Sequence, residues 1–325
     1  MRRREFIAAT AGAVVWSFEA LAQHAARTPI IGFLGLGEAA DWDDQIKALR
    51  LGLQRFGYVD GRNIRIEFRW ASNVAELKEL AEQLSRLKVD VIVAPASTQV
   101  EPALQVTRTI PIVFAQHADP VGIGHVASLA RPGGNVTGVS MVLTEMAVKG
   151  MEILAEALPA PQRMGVLWNS TTPTHPRVVA ALEEAAPRKQ IALVGAPISS
   201  ADDFDRAFEM LLRAGATSVL VPSSPVTNAR RQTLAELAIK CRLPTMFANR
   251  ANVEAGGLMS YGPNFNDMYR YVAFYIEKIL KGASPAELPV EQASKYELVL
   301  NRATARALNV DLPSILVARA DDVIE

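Results

Sequence analysis

Ile30-Ile31-Gly32-Phe33-Leu34 is a short apolar run of strand type. Trp42, Ile46, Leu49, Leu53 and Phe56 then recur at helical spacing, and Ile64–Phe68 reads as a second strand. A strand, an amphipathic helix and a strand in succession form a βαβ unit. The pattern repeats: Val74, Leu77, Leu80, Leu84 and Leu87 share one helical face, and Val89–Ala94, Ile112–Phe114 and Val136–Val139 are further strands. It then restarts, with strands at Gly165–Trp168, Ile191–Val194, Val219–Val221 and Thr245–Phe247 separated by helical segments. Apolar strands between amphipathic helices predict an α/β chain with parallel sheets covered on both faces. Two runs of about 110 residues, an ordinary domain size, predict two similar lobes with a break near Gly138 to Thr144.

Several boundaries carry their own chemistry. Asp119 before Pro120 reads as a helix N-cap with proline in the first turn. Ser199, Ser200 and Asp202 precede a Phe204, Phe208, Leu211, Leu212 face, again a helix start. Met268, Tyr271, Val272, Tyr275, Ile279 and Leu280 mark a late helix ending near Gly282. Residues 283–295 are polar and proline-bearing, and Tyr296–Leu300 reads as one more strand.

The first 22 residues say where such a chain works. Arg2, Arg3 and Arg4 form a basic start, Phe6 to Phe18 is apolar, and Ala20-Leu21-Ala22 offers small residues at the positions a signal peptidase reads. A bilayer needs about 20 apolar residues, more than this run supplies, so the pattern predicts a cleaved signal and a periplasmic product. Arg3-Arg4-Glu5-Phe6-Ile7 resembles a twin-arginine export signal, and an ordinary basic flank accounts for it equally well. No cysteine stands near the cleavage site, so no lipid anchor and no membrane anchor are expected.

Charge excludes other classes. Lysine plus arginine number 34 and aspartate plus glutamate 34, and removal of the signal leaves 31 against 32. That balance carries no footprint for nucleic acid or for an anionic membrane. Cys241 is the only cysteine, so no intramolecular disulfide can form, and it reads as a small apolar residue of the interior.

Catalytic and cofactor motifs are missing. There is no Gly-x-Ser-x-Gly elbow, no Walker loop and no His-Glu-x-x-His. Gly32, Gly35 and Gly37 have the wrong order for a dinucleotide fingerprint. His24, His117, His125 and His175 are scattered without metal-ligand spacing. No cofactor, no metal and no enzymatic activity are expected.

Four stretches together carry a family resemblance: Gly57-Tyr58-Val59-Asp60-Gly61-Arg62-Asn63 leading into Ile66–Trp70, Ile110–Phe114 leading to Asp119-Pro120-Val121-Gly122, Arg131-Pro132-Gly133-Gly134-Asn135-Val136-Thr137-Gly138-Val139-Ser140, and Leu312–Glu325 at the close. Along essentially the whole mature chain the sequence resembles the substrate-binding proteins of ABC importers, in the branch with tryptophan- and tyrosine-type receptors. The resemblance implies the type I periplasmic-binding-protein fold: two Rossmann-like lobes with parallel sheets, joined by three hinge strands, with the ligand between them. It suggests a first lobe of residues 29–140 plus about 248–285 and a second of 141–247 plus about 290–325. The implied partners are a small-molecule ligand and an ABC permease of the inner membrane.

Parallel strands put their C-terminal ends at such a cleft. That rule nominates Leu36, Gly37 and Glu38, Ser97 and Thr98, and Gln116, His117 and Asp119 from the first lobe. From the second it nominates Asn169, Ser223 and Asn249, with Tyr261 in a hinge loop. Ser97 and Thr98 open a helix whose amides suit a carboxylate, and simple capping is an equal reading. Asp119 suits an ammonium group, with capping again the alternative. Asn169, Ser223 and Asn249 offer hydrogen bonds, with helix capping the alternative for each, while Trp42, Phe247 and Tyr261 offer faces for a flat ring. Leu36-Gly37-Glu38 replaces the small hydroxyl-rich stretch expected there, which puts a carboxylate near the cleft mouth. The expected function is capture of an amino acid or an aromatic carboxylate compound by hinge closure. A sensory module for a membrane signalling protein is the alternative, and an exported enzyme using the same cleft is a third reading.

Overall fold

The computed structural model describes residues 27–159 and 162–325. The signal reading and His24 lie outside these residues. Two mostly parallel sheets are each built around the same plan. In the first, β1 (Ile30–Leu36), β2 (Arg65–Ala71), β3 (Val91–Val93), β4 (Ile112–His117) and β5 (Val136–Ser140) lie in the order β5-β4-β3-β1-β2. In the second, β6 (Gln162–Asn169), β7 (Ile191–Ile198), β8 (Ser218–Val221), β9 (Thr245–Phe247) and β10 (Met259–Pro263) repeat it as β10-β9-β8-β6-β7. Both are the doubly wound order 2-1-3-4-5, whose direction reverses beside the first strand of each set.

Alternation along the strands explains the two-sided cover. In β1, Ile31 and Phe33 join one core, where α1 (Asp43–Arg55) adds Ile46, Leu49 and Leu53 and α10 (Phe265–Leu280) adds Tyr269, Val272 and Ile276. Leu34 and Leu36 point the other way, against Leu77, Ala81 and Leu84 of α2 (Leu77–Arg86) and Val100 and Leu104 of α3 (Ser97–Val106). Successive side chains point to opposite faces of a strand, so an apolar strand feeds two cores. The second sheet does the same. Met164, Val166 and Leu220 face α4 (Leu143–Glu156) and α5 (His175–Ala185). Leu167, Val219 and Val221 instead meet Phe204, Phe208 and Leu211 of α6 (Phe204–Arg213). Each such buried side chain contributes about 1.5–3 kcal/mol.

Four further helices, α7 (Pro225–Ala229), α8 (Arg231–Lys240), α9 (Arg250–Glu254) and α11 (Arg302–Leu308), lie on the second sheet's side of the chain, with α12 (Ser314–Arg319) following. The remaining strands are β11 (Glu291–Gln292), which pairs parallel with β5, and β12 (Tyr296–Asn301), which pairs antiparallel with β10 and parallel with β13 (Asp322–Ile324). The chain therefore passes between sheets after β5, between β10 and α10, and between β11 and β12. Residues 248–263, expected in the first lobe, belong to the second sheet through β10, and the return comes at residue 264. Tyr261 is correspondingly a residue of β10 and not of a hinge loop. At the first crossing Val142 adopts φ 51°, ψ 54°, a left-handed conformation that is strained for a β-branched residue.

Two strand-level features shape the first lobe's inner edge. The register of β4 against β5 shifts between Phe114 and His117, and Pro95 O accepts both the Ala115 and the Gln116 N–H. Such a bulge re-aims the side chains that follow it. Gly138, opposite, has φ +146°, and a Cβ there would overlap the Phe114 backbone. Only glycine allows β4 and β5 to approach this closely.

Candidate ligand cleft

The C-terminal ends of both parallel sets face each other, and a cavity of about 270 Å³ lies between them. Asp41, Trp42, Asp44, Gln45 and Gln116 wall it from the first lobe. Asn228, Ala229, Arg231 and Asn249 wall it from the second, and Phe265 closes it from the start of α10. A second cavity of about 280 Å³ shares Asp41, Pro225 and Ala229 with the first and extends past Leu36 and Gly37 toward Ser72, Asn73 and Ser200.

Each wall has a local cause. Trp42 ends a short 3-10 turn, Ala39–Trp42, and its indole Nε1–H donates to Leu36 O at 3.0 Å. Its ring packs edge-on against Phe33 at 5.9 Å and lies 6.3 Å from Trp70 and 6.5 Å from Tyr269. The tryptophan is thus a core residue with one edge on the cavity. Asp41, Asp43 and Asp44 gather in the first turns of the 3-10 turn and α1, where the helix dipole favours negative charge. Opposite them, Arg231 opens α8, and its Nη1 donates to Asn228 O at 3.1 Å. A cation at a helix N-terminus gains nothing from the dipole, so this placement suits a charge outside the helix. Asn249 caps α9, its Oδ1 accepting the Ala251 N–H at 3.1 Å. The bulge aims Gln116 inward, and its buried Oε1 finds no partner among the described residues.

The remaining nominated residues sit elsewhere. Ser97 and Thr98 are buried in the first turn of α3, beside the bulge that carries Gln116, but they are not among the residues lining the cavity. Thr98 Oγ1 and both polar atoms of the Gln99 side chain are buried without partners among the described residues. Asn169 Oδ1 accepts from the N–H and hydroxyl of Thr171, both at 2.9 Å, which closes the β6 turn. Ser223 Oγ accepts from Asn228 Nδ2 at 3.0 Å and holds the α7 turn. Tyr261 stacks on Tyr296 at 5.8 Å and borders a gap of about 10 Å³ beside α4. Glu38 is exposed, and its N–H donates to Asp41 Oδ2 at 3.1 Å.

His117 and Asp119 depart furthest from expectation. His117 has no exposed surface, because the residue after the bulge turns into the lobe. Its Nε2 lies 2.8 Å from His125 Nδ1, and His125 Nε2 lies 2.8 Å from Glu101 Oε2. Burial pushes His117 well below the ordinary histidine range and lowers His125 as well, while the bond from His125 lowers Glu101. Asp119 starts a turn and not a helix, its Oδ1 accepting the Gly122 N–H at 2.7 Å. Its other oxygen lies 3.6 Å from Nε of Arg177, across the cleft on α5.

His175, one of the scattered histidines expected on a loop or the surface, is instead buried and organises the second lobe's edge. Its Nδ1 accepts the Asn169 N–H at 2.9 Å and its Nε2 lies 3.0 Å from Ser223 O. It is therefore neutral with the proton on Nε2, and burial depresses its pKa to about 4. Arg231 and Asn228 were also missed, since no strand end announces the start of α8. Among the described residues no cluster of His, Cys, Asp or Glu fits a metal ion, and no helix is long and apolar enough to cross a membrane.

Comparison with known proteins agrees with this architecture. The family model for "ABC transporter substrate binding protein" matches residues 38–324. A tyrosine-binding protein of Clostridioides difficile (strain R20291) is 28% identical over 283 residues, covering 86% of this chain and 81% of its own. The structure of an ABC domain in complex with L-Trp from Streptococcus pneumonia is 24% identical, covers 91% of this chain and 100% of its own, and superposes with a TM-score of 0.84. The ligand-free, open structure of a substrate-binding protein with adhesive properties from Clostridium difficile is 25% identical, with coverage of 91% and 99% and a TM-score of 0.65. The fold is that of the type I periplasmic binding proteins, and the chain belongs to the ABC transporter substrate-binding protein family.

Proposed function

We propose that this chain is the extracytoplasmic receptor of an ABC importer and captures an aromatic α-amino acid between its lobes. The single observation that carries the reading is the cavity shared by both lobes, with acidic groups on one wall, Arg231 on the other and aromatic edges between. A zwitterion offers one charge to each wall, and Trp42 and Phe265 flank the space for a ring. Gln116 and Asn249 supply neutral hydrogen bonds, and the tyrosine-binding relative supports the same ligand class. Hinge motion at the three crossings closes the cleft, with ligand favouring the closed state. Export through the N-terminal signal puts the receptor where it meets its permease.

Titration calorimetry of residues 23–325 with L-tyrosine and L-tryptophan tests this directly. Saturable binding of one, with tyramine and 3-(4-hydroxyphenyl)propionate much weaker, is the expected result. Equal binding of the analogue lacking the carboxylate or the amine removes the zwitterion reading. Absence of binding to every amino acid by a folded protein removes the ligand class.

A further inference from the structure

We infer that Arg177 and the 119–122 turn form a clasp between the lobes that stabilises the closed arrangement without touching the ligand. Arg177 stands in the first turn of α5, two residues after His175, whose two ring bonds hold that end of the helix to Asn169 and Ser223. From there its Nε lies 3.6 Å from Asp119 Oδ2, and its Nη1 donates to Gly122 O. The receiving turn is prebuilt, since Asp119 Oδ1 accepts the Gly122 N–H at 2.7 Å and His117 Nδ1 accepts the Asp119 N–H at 3.2 Å. A Cβ at Gly122 would overlap both the Asp119 carboxylate and the Arg177 guanidinium, so glycine leaves the room that the contact occupies. Neither Arg177 nor Asp119 lines the cavity.

The pair's strength suits a reversible contact. Its side chains keep 54% and 29% of their exposure, so solvent screens the attraction. A contact made only when the lobes are together shifts the open–closed balance by its own free energy. Apparent ligand affinity follows the closed fraction. Arg177 is in this sense a positioning residue for capture, acting through the lobe arrangement. The inference rests on the cleft binding by closure, and its test separates the two ideas.

The test is a double-mutant cycle with Arg177→Ala and Asp119→Asn, the latter keeping an oxygen for the Gly122 N–H. L-tyrosine affinity is read by calorimetry. The closed fraction of the ligand-free protein is read from distances between spin labels, one on each lobe. Each single variant is expected to lower both quantities about twofold to fivefold, the range of one partly exposed charged contact. The double variant should be no worse than either single one. Losses that add in the cycle overturn the clasp, because they assign the two residues independent roles. An unchanged closed fraction also overturns it. If L-tyrosine does not bind the unaltered protein, the ligand proposal fails, and the spin-label distances still decide the clasp.

Discussion

His117 Nδ1 accepts the backbone N–H of Asp119 at 3.2 Å, which sets the direction of every proton in the chain behind it. With Nδ1 an acceptor, Nε2–H donates to His125 Nδ1, and His125 Nε2–H donates to Glu101. Two neutral imidazoles thus connect a partly exposed carboxylate to the turn that carries Asp119. His117→Ala should cost about 1–3 kcal/mol, because it leaves the buried His125 Nδ1 without its donor. Urea unfolding at pH 7.5 measures this, and unchanged stability would mean the relay is not formed.

Lowering pH should destabilise the protein through its buried histidines. His175 titrates near 4 when folded and near 6.5 when unfolded, so the unfolded chain takes up the proton first. Its contribution is complete above about pH 6.5 and falls as pH drops toward 4, by roughly 2 kcal/mol between pH 7.5 and 5. His117, also depressed by burial, acts in the same sense. Urea midpoints across this range give the slope, and a flat profile would contradict the neutral, buried assignment.

Asn249 and Ser223 separate the cavity from the turns behind it. Asn249→Ala should weaken L-tyrosine binding about threefold to tenfold, the value of one hydrogen bond, and cost about 1 kcal/mol of stability through the lost cap. Ser223→Ala should leave affinity within about twofold, since its hydroxyl serves Asn228. Calorimetry on both variants checks the contrast, and a larger loss for Ser223→Ala would move the site.

Gln116→Leu should dissociate stability from binding. Its Oε1 is buried without a partner among the described residues, so an apolar replacement of similar size is neutral or stabilising. Affinity should nevertheless fall, because the cavity wall loses the Gln116 amide. A melting temperature that drops together with affinity would place Gln116 in the scaffold instead.

Trp42→Ala should act mainly through folding. The ring is 6% exposed and sits among Phe33, Trp70 and Tyr269, so its removal costs about 3–5 kcal/mol. Thermal unfolding reads this loss before any binding assay can be interpreted. A stable variant with weak binding would instead make Trp42 chiefly a ligand contact.

Much of the architecture was legible in the residues because strand and helix patterns are local. Runs such as Ile30–Leu34 and Val219–Val221 already show two-sided burial, and the helical faces of 77–87 and 204–212 already show where they pack. The family motifs supplied the cleft and its strand ends. Local patterning alone thus accounts for the alternation of elements, the covered sheets and the strand ends that line the cleft.

Long-range folding sets which side chains at those strand ends face the cavity. A one-residue bulge between Phe114 and His117 sends Gln116 toward the cleft and His117 into the core, and nothing in the local pattern announces it. Hydroxyl and amide groups at strand ends serve equally as caps or ligand contacts, and Ser223, Asn169 and Asn249 each take a partner two to five residues away, a choice the strand pattern does not reveal. The return to the first lobe at residue 264 likewise follows from long-range pairing of β10 with β12, which residues 248–263 do not reveal. Sequence periodicity reports which residues leave water. Which buried polar group meets which partner is set by contacts between separate segments, such as His175 with Ser223 or Glu101 with His125, and that information exists only once the chain has folded.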